Sequence, residues 1–259
     1  MSKLTRSLFV SLFALCIGSL MMMPAPPAKA QSVSLGADVM NRYVWRGAVL
    51  SPAASVQPSV SYSNSGFTIG TWGSFSLSPN GTGGDELDLY ASYGFDLGGS
   101  GSLSIGVTDY YFPNQGFAPG QNPNTPGNTA NQAFFDYDND TGAHTIEPNI
   151  SYTGPESLPI SLYAAINAYG TGDNNAAWLE VSYPFSVQDV DLSIALGGTP
   201  NDEGGFYFTD ADTDAGITKL SLSASKSIEI TDSFSLPVMA SYYLNPYSET
   251  GYLLFGISL

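Results

Sequence analysis

Glu86-Leu87-Asp88-Leu89-Tyr90-Ala91-Ser92-Tyr93-Gly94-Phe95-Asp96-Leu97 is the stretch that decides the fold class. Leu87, Leu89, Ala91, Tyr93, Phe95 and Leu97 share one parity, opposite Asp88, Ser92 and Asp96. Successive residues of a strand point to opposite faces, so this period of two reads as a strand. The period recurs to either side. Residues 33–45 place Val33, Leu35, Ala37, Val39, Tyr43 and Trp45 on one face. Residues 67–78 place Phe67, Ile69, Phe75 and Leu77 opposite Thr68, Ser74 and Ser76. Segments 55–62, 102–112, 144–152, 160–169, 177–187, 190–197, 216–228, 234–243 and 251–259 bring the expected strands to twelve.

The connections add an independent signal. In chain order they run 46–54, 63–66, 79–86, 98–101, 113–143, 153–159, 170–176, 188–189, 198–215, 229–233 and 244–250. Every odd-numbered connection has 7 residues or more, and every even one 7 or fewer. Alternating long and short loops with an even strand count describe an all-β, transmembrane antiparallel β-barrel, both termini at the periplasmic side. A secreted β-sandwich or soluble barrel shares the strand period. Such a protein turns its apolar face inward and coats the other with Lys and Glu. Here the face opposite the apolar one is Ser, Thr, Gly, Asn and Tyr, which suits a wet lumen. Aromatics gather near strand ends, at Tyr43, Trp45, Phe67, Tyr110 to Phe112, Tyr183, Phe185, Tyr242 and Tyr243. Girdles at both membrane interfaces would use them so, although Tyr and Trp are also good strand formers.

Composition fits a wall with lipid on one side. Only 12% of the 259 residues are charged and 13% are aromatic. Residues 1–30 read as a removable signal peptide. Lys3 and Arg6 lead, Ser7 to Met23 is apolar, and Ala28-Lys29-Ala30 is a small-x-small cleavage site. A retained anchor is the alternative. Leu15 before Cys16 does not fit a lipoprotein, and the chain's one Cys leaves with the signal. The barrel is then 31–259, with 4 basic and 23 acidic residues and a net charge of −19. That balance argues against nucleic acid, whose phosphates need clustered Lys and Arg.

Asn41-Arg42-Tyr43-Val44-Trp45-Arg46-Gly47 is followed by Val56-Gln57-Pro58-Ser59-Val60-Ser61-Tyr62, Gly66-Phe67, Gly70-Thr71-Trp72-Gly73-Ser74 and Glu86 to Phe95. This order resembles the TorF or Gcw_chp family, uncharacterised proteins regarded as outer-membrane porins, whose first strands carry Tyr-Val-x-Arg-Gly. The resemblance is best over 33–112. It implies an outer-membrane β-barrel and no established substrate. The last segment, Gly251 to Leu259, also resembles the C-terminal targeting strand of such barrels, though it closes on Leu259 rather than an aromatic.

Constellations for chemistry are sparse, so no enzyme is expected. His144 is the only His, and its parity with Ile146 and Ile150 places it outward at a strand end. Asp136-Tyr137-Asp138-Asn139-Asp140-Thr141-Gly142 recurs in form as Asp210-Ala211-Asp212-Thr213-Asp214-Ala215-Gly216. Oxygen-rich loops of this kind suit Ca²⁺, with Asp136, Asp138, Asp140, Asp210, Asp212 and Asp214 as donors. They lack the EF-hand Gly, and a solvated acidic rim is the plainer reading. No other cofactor is expected.

The expected function is a porin in the bacterial outer membrane, passing small solutes by diffusion. Partners would be outer-membrane lipid, lipopolysaccharide and those solutes. Parity points Asp38, Asp88, Asp96, Glu147, Glu180 and Asp191 into the lumen, with Arg42, Arg46 and Lys219. Arg42 and Arg46, four apart on one strand face, would brace the wall against these acids. The long loops hold 12 acidic residues, Asp85, Glu86, Asp173, Glu203, Asp202 and Glu249 among them, against Arg46 alone. A mouth of one sign favours cations. Segment 113–143 could fold inward as a constriction or stay outside. A structural or adhesive surface barrel without an open pore, and an enzyme embedded in a barrel, are the competing functions.

Overall fold

The computed structural model describes residues 31–78, 84–113, 133–137, 142–170, 175–202, 206–208 and 214–259. The strands are β1 (Ser32–Met40), β2 (Tyr43–Trp45), β3 (Ala48–Ser51), β4 (Ser55–Asn64), β5 (Phe67–Ser76), β6 (Glu86–Asp96), β7 (Ser102–Tyr111) and β8 (His144–Thr153). They continue with β9 (Ser161–Ile166), β10 (Tyr169–Gly170), β11 (Ala177–Val187), β12 (Val190–Thr199), β13 (Gly216–Thr231), β14 (Phe234–Asn245) and β15 (Thr250–Ser258). Among the described residues the one helical element is a 3₁₀ turn at Gly98–Ser100.

Twelve antiparallel positions close into a barrel, in the order β1, β4, β5, β6, β7, β8, β9, β11, β12, β13, β14, β15 and back to β1. β10 prolongs β9 along β8 after a one-residue slip: Asn149 faces Ala165, whereas Ile146 faces Tyr169. β2 and β3 pair only with each other. All twelve expected strands are present, and both chain ends of the barrel lie at the rim of short turns. One such turn is Ser65–Gly66, between the paired Asn64 and Phe67. Both of its residues have positive φ, 51° and 90°, the I′ geometry that matches strand twist.

The apolar parity faces outward. Leu35 is 83% exposed, Leu253 57% and Ile105 51%, and Leu89, Ile194 and Leu222 share that surface. Asp88, Glu147, Glu180, Ser221 and Ser225 are buried on the opposite face. An apolar exterior round a polar interior inverts the water-soluble arrangement and is consistent with an outer-membrane protein. It costs nothing in lipid because every backbone group of a closed ring is paired within the wall.

The first strand is shorter than its alternation implies. It ends at Met40 rather than 45, and Tyr43 and Trp45 lie inside the barrel, 3% and 5% exposed. Tyr110 and Tyr243 are likewise interior, so these four aromatics belong to the lumen and not to a girdle. Phe67, Tyr183 and Tyr242 are exposed on the outside.

Candidate functional site: the lumen and its inner hairpin

Asn41 is where the chain leaves the wall. Its backbone N–H donates to the Phe255 carbonyl at 3.0 Å, and its side-chain oxygen accepts from the Phe255 N–H at 3.0 Å. Its amide nitrogen donates to Leu253 O at 3.2 Å. One side chain thus completes the ladder with β15 while the backbone turns inward as the β2–β3 hairpin. Trp45 and Ala48 pair across a two-residue turn, Arg46 (φ 48°) and Gly47 (φ 86°), again of I′ type. A left-handed arginine costs about 1–3 kcal/mol. Gly47 is required twice, by its φ and because a Cβ would overlap the Thr218 carbonyl.

The hairpin keeps the strand alternation, with wall on both of its faces. Val44 packs with Met40, Met239, Tyr243 and Leu254, on the side of β14 and β15. Tyr43 and Trp45 pack with Tyr110, Ala176 and Phe206 on the other. The tip reaches β8, β9 and β11, halfway round the ring from β1. There Arg46 donates from Nη1 and Nη2 to the two Glu147 carboxylate oxygens at 2.6 and 2.8 Å, and to the Tyr207 hydroxyl at 2.5 Å. Tyr110 and Tyr163 hydroxyls donate to the same carboxylate at 2.8 and 3.1 Å. The guanidinium lies 4.4 Å from the Trp45 ring centroid and 5.2 Å from that of Trp178. Thr218 and Asn245 side chains donate to the tip carbonyls of Arg46 and Gly47 at 2.9 and 3.1 Å. A buried bidentate pair with its other lone pairs occupied meets the conditions under which such a pair survives desolvation.

A second pair lies beside it. Lys219 Nζ is 2.9 Å from both Glu180 oxygens, and Trp178 Nε1 donates to Glu180 at 3.3 Å. A β-bulge opposite Gly197 and Gly198 lets consecutive Thr218 and Lys219 both point inward. Residues 206–208 also cover the lumen. The Asp202 carboxylate receives the Tyr207 N–H at 2.8 Å and the Phe208 N–H at 2.8 Å. Burial raises the Asp202 pKa above the usual carboxylate value, with the backbone N–H groups pulling it back. Towards the short-turn rim the lumen changes character. Thr108 and Asn149, then Ser182, Ser193, Ser223 and Ser241, line it with small polar groups, several half-exposed.

The remaining expected residues divide. Asp38 accepts from Ser258 Oγ at 2.5 Å, low in the lumen. Asp96 and Asp191 sit at the short-turn rim, where they accept from the Gly98 N–H at 2.7 Å and the Ser186 hydroxyl at 2.8 Å. Arg42 and Arg46 do not share a strand face: Arg46 is at the hairpin turn, and Arg42 has no carboxylate partner among the described residues. Glu86 is not a loop residue but opens β6, buried in the lumen, where it accepts from the Tyr43 hydroxyl at 3.1 Å. Sequence reasoning missed Tyr43, Trp45, Glu86 and Trp178 as lumen residues. The signal that could have found the first two is Arg46-Gly47 between two short alternating runs.

His144 does point outward, yet it is 1% exposed rather than interfacial. Segment 133–137 covers it, with Nδ1 2.8 Å from Asp109 Oδ1 and Nε2 2.7 Å from the Phe134 carbonyl. Both nitrogens face oxygen atoms. Tyr111 and Tyr137 stack on it, at 4.7 and 3.9 Å between centroids, and the Tyr137 hydroxyl donates to Asp109 at 2.9 Å. The described part of 113–143 therefore clasps the outer wall; the segment that fills the lumen is the first connection. Asp138, Asp140, Asp210 and Asp212 lie outside the described residues. Asp136 and Asp214 are described, and no three acidic, His or Cys residues among the described ones group to hold a metal ion.

With this geometry in view, the chain belongs to a family of bacterial proteins of unknown function, Gcw_chp, which matches residues 24–235. No curated protein matches it. The Tyr-Val-x-Arg-Gly element stands here as Tyr43 to Gly47, the descending arm and turn of the inner hairpin.

Proposed function

We propose that this member of the Gcw_chp family is an outer-membrane porin whose passage is set by its own first connection. Small solutes, cations ahead of anions, would cross the hydroxyl-lined half freely and meet resistance at the hairpin. The single observation that carries this reading is how the hairpin tip is held. One ion pair fixes it to the far wall at β8, and two hydrogen bonds to tip carbonyls fix it to β13 and β14, contacts that water can replace. No chemical step is part of the reading: the one His is committed to Asp109 and Phe134 on the barrel's outer side. The exposed apolar wall supports lipid, and lipopolysaccharide at the loop rim, as its surroundings.

A second reading has support from the apolar packing of Val44, which would make the hairpin a permanent core and the protein a structural barrel. Planar-bilayer conductance of the full chain and of a variant with 42–51 replaced by a Gly-Ser linker separates the two. Small steps that enlarge in the variant are expected. Steps in the variant alone would favour the permanent core, and silence from both would sink the channel.

A further inference from the structure

Charges inside the barrel are matched with one exception. Arg46 answers Glu147 and Lys219 answers Glu180. Glu86 and Asp88 stand two apart on the inward face of β6, 2% and 0% exposed, with no cation partner among the described residues. Their carboxyls lie within hydrogen-bonding reach of each other. Glu86 Oε1 accepts from the Tyr43 hydroxyl, yet Glu86 Oε2 and both Asp88 oxygens meet no N–H or O–H donor among the described residues.

The neighbours supply no donor. The titratable and charged groups around the pair are Tyr43 and Arg46 from the hairpin, Tyr110 and Asp109 from β7, Glu147 from β8, and Tyr90 from β6 itself. β5 places Trp72 and Ser74 opposite, neither of them titratable. Tyr110 sits across the ladder from Asp88 but commits its hydroxyl to Glu147, as Arg46 commits its guanidinium. Two carboxylates in contact and away from water cannot both stay ionised. Oxygens that only accept need a hydrogen between them. One proton meets both needs, since a carboxyl donating to a carboxylate is a strong bond and leaves one charge instead of two. We propose that Glu86 and Asp88 are a proton-binding pair that holds one shared proton at neutral pH and, through Tyr43, seats the inner hairpin on β6. When that proton leaves to water, two adjacent anions remain beside Trp45, Tyr110 and Phe206. Their repulsion and their demand for water loosen the seat. The hairpin is therefore held firmly in acid and eases as pH rises. The folded chain keeps a proton that the unfolded chain gives up, so stability falls with rising pH until the pair is empty. The consequence for permeation rests on the channel reading; the shared proton does not.

An amide in place of either carboxyl supplies the missing donor permanently, which makes Glu86→Gln and Asp88→Asn the informative variants. Infrared spectra of the full chain in lipid vesicles, in water and in heavy water, should show a protonated-carboxyl band at neutral pH. That band should vanish on alkalinisation and be absent from both variants. Hydrogen exchange at 43–51, referred to the wall amides of β12, should accelerate in the parent as the band vanishes. Both amide variants should keep the hairpin protected throughout, and Asp191→Asn, at the short-turn rim, should retain the parent's band and its step. A missing band at neutral pH, or one that persists in both variants, overturns the shared proton. Hairpin exchange that ignores the loss of the band overturns its tie to the hairpin. Conductance enters neither outcome, so a barrel that fails to conduct leaves the result readable.

Discussion

The two halves of the lumen are built on the same twelve strands with the same alternation, yet one is filled by rings and an inner hairpin and the other is lined mostly by small hydroxyl groups. Near the loop rim the inward face carries Trp178, Tyr163, Glu147 and Lys219, and the hairpin fills what they leave. Near the short-turn rim the inward face carries Ser193, Ser223 and Ser241 instead, on β12, β13 and β14. Backbone pattern therefore sets which side of the wall a residue faces, while side-chain volume on the inner parity sets whether the barrel is solid or hollow. Eight strands leave an interior just filled by side chains and sixteen an aqueous channel. A barrel of twelve can be both, at different heights.

The strongest way to break this contrast is to release the tip. Arg46→Ala leaves Glu147 buried without its partner and should cost about 3–5 kcal/mol. Thermal unfolding in detergent reads the loss, and protease should then cut within 41–54 while the wall stays resistant. A packed half that keeps its Tm and its resistance would mean that the ion pair is not what holds it.

Inserted arginines compare lipid face with hollow lumen. Leu222→Arg, at an exposed wall position, should cost roughly 2–4 kcal/mol if it lies near the bilayer midplane. Ser223→Arg, one residue on and inward, should refold in lipid almost as the parent does. Equal losses in a refolding titration would show that the lumen is tight at that height too.

A methyl group is a finer probe. A Cβ at Gly197 would overlap the Trp178 ring, whereas at Gly36 its nearest neighbours are Ser59 Oγ at 3.5 Å and Leu259 O at 3.8 Å. Gly197→Ala should cost about 1–3 kcal/mol as overpacking, and Gly36→Ala should fall within about 0.5 kcal/mol of neutral. Reversal of that order in chemical denaturation would contradict the packed and hollow assignment.

The smallest effect concerns the outer clasp. Burial, then the hydrogen bond to Asp109, pushes the Tyr137 pKa up to about 12. A phenol raised above its unfolded value of about 10 contributes stability that is full below pH 10. That contribution is lost as pH rises through about 12, when the hydroxyl can no longer donate to the carboxylate. Hydrogen exchange at 133–137 should accelerate over that window in the parent and show no such step in Tyr137→Phe.

Strand number, face and loop parity were legible because they rest on a period that lipid outside and water inside impose on every strand. The hairpin was not. Tyr43 and Trp45 continue the odd parity of Val33 to Val39, and a hairpin alternates as a wall strand does. The departure lies in the Asn41 side chain, which replaces a backbone partner, and no periodicity registers that. Arg46-Gly47 is a turn signal in Gly47 alone, since arginine is an unusual occupant of positive φ. The Arg46–Glu147 pairing was equally hidden: it joins residues from opposite sides of the ring, a relation set by closure rather than by neighbours in the chain. Glu86 looked like loop because acidic residues crowd that connection, though its parity with Asp88 already placed it on the inner face.

The hairpin also constrains the order of assembly. It belongs to the first connection, its tip is bonded across the lumen, and the ring closes where β1 meets β15, along Ala37 to Asn41 and Phe255 to Leu259. The last strand to be made is the one that shuts the wall, and Asn41 takes part in that closure. A strut that spans the bore has its root fixed only when the seam zips. The final pairing event then does two jobs at once, completing the cylinder and locking the strut's root.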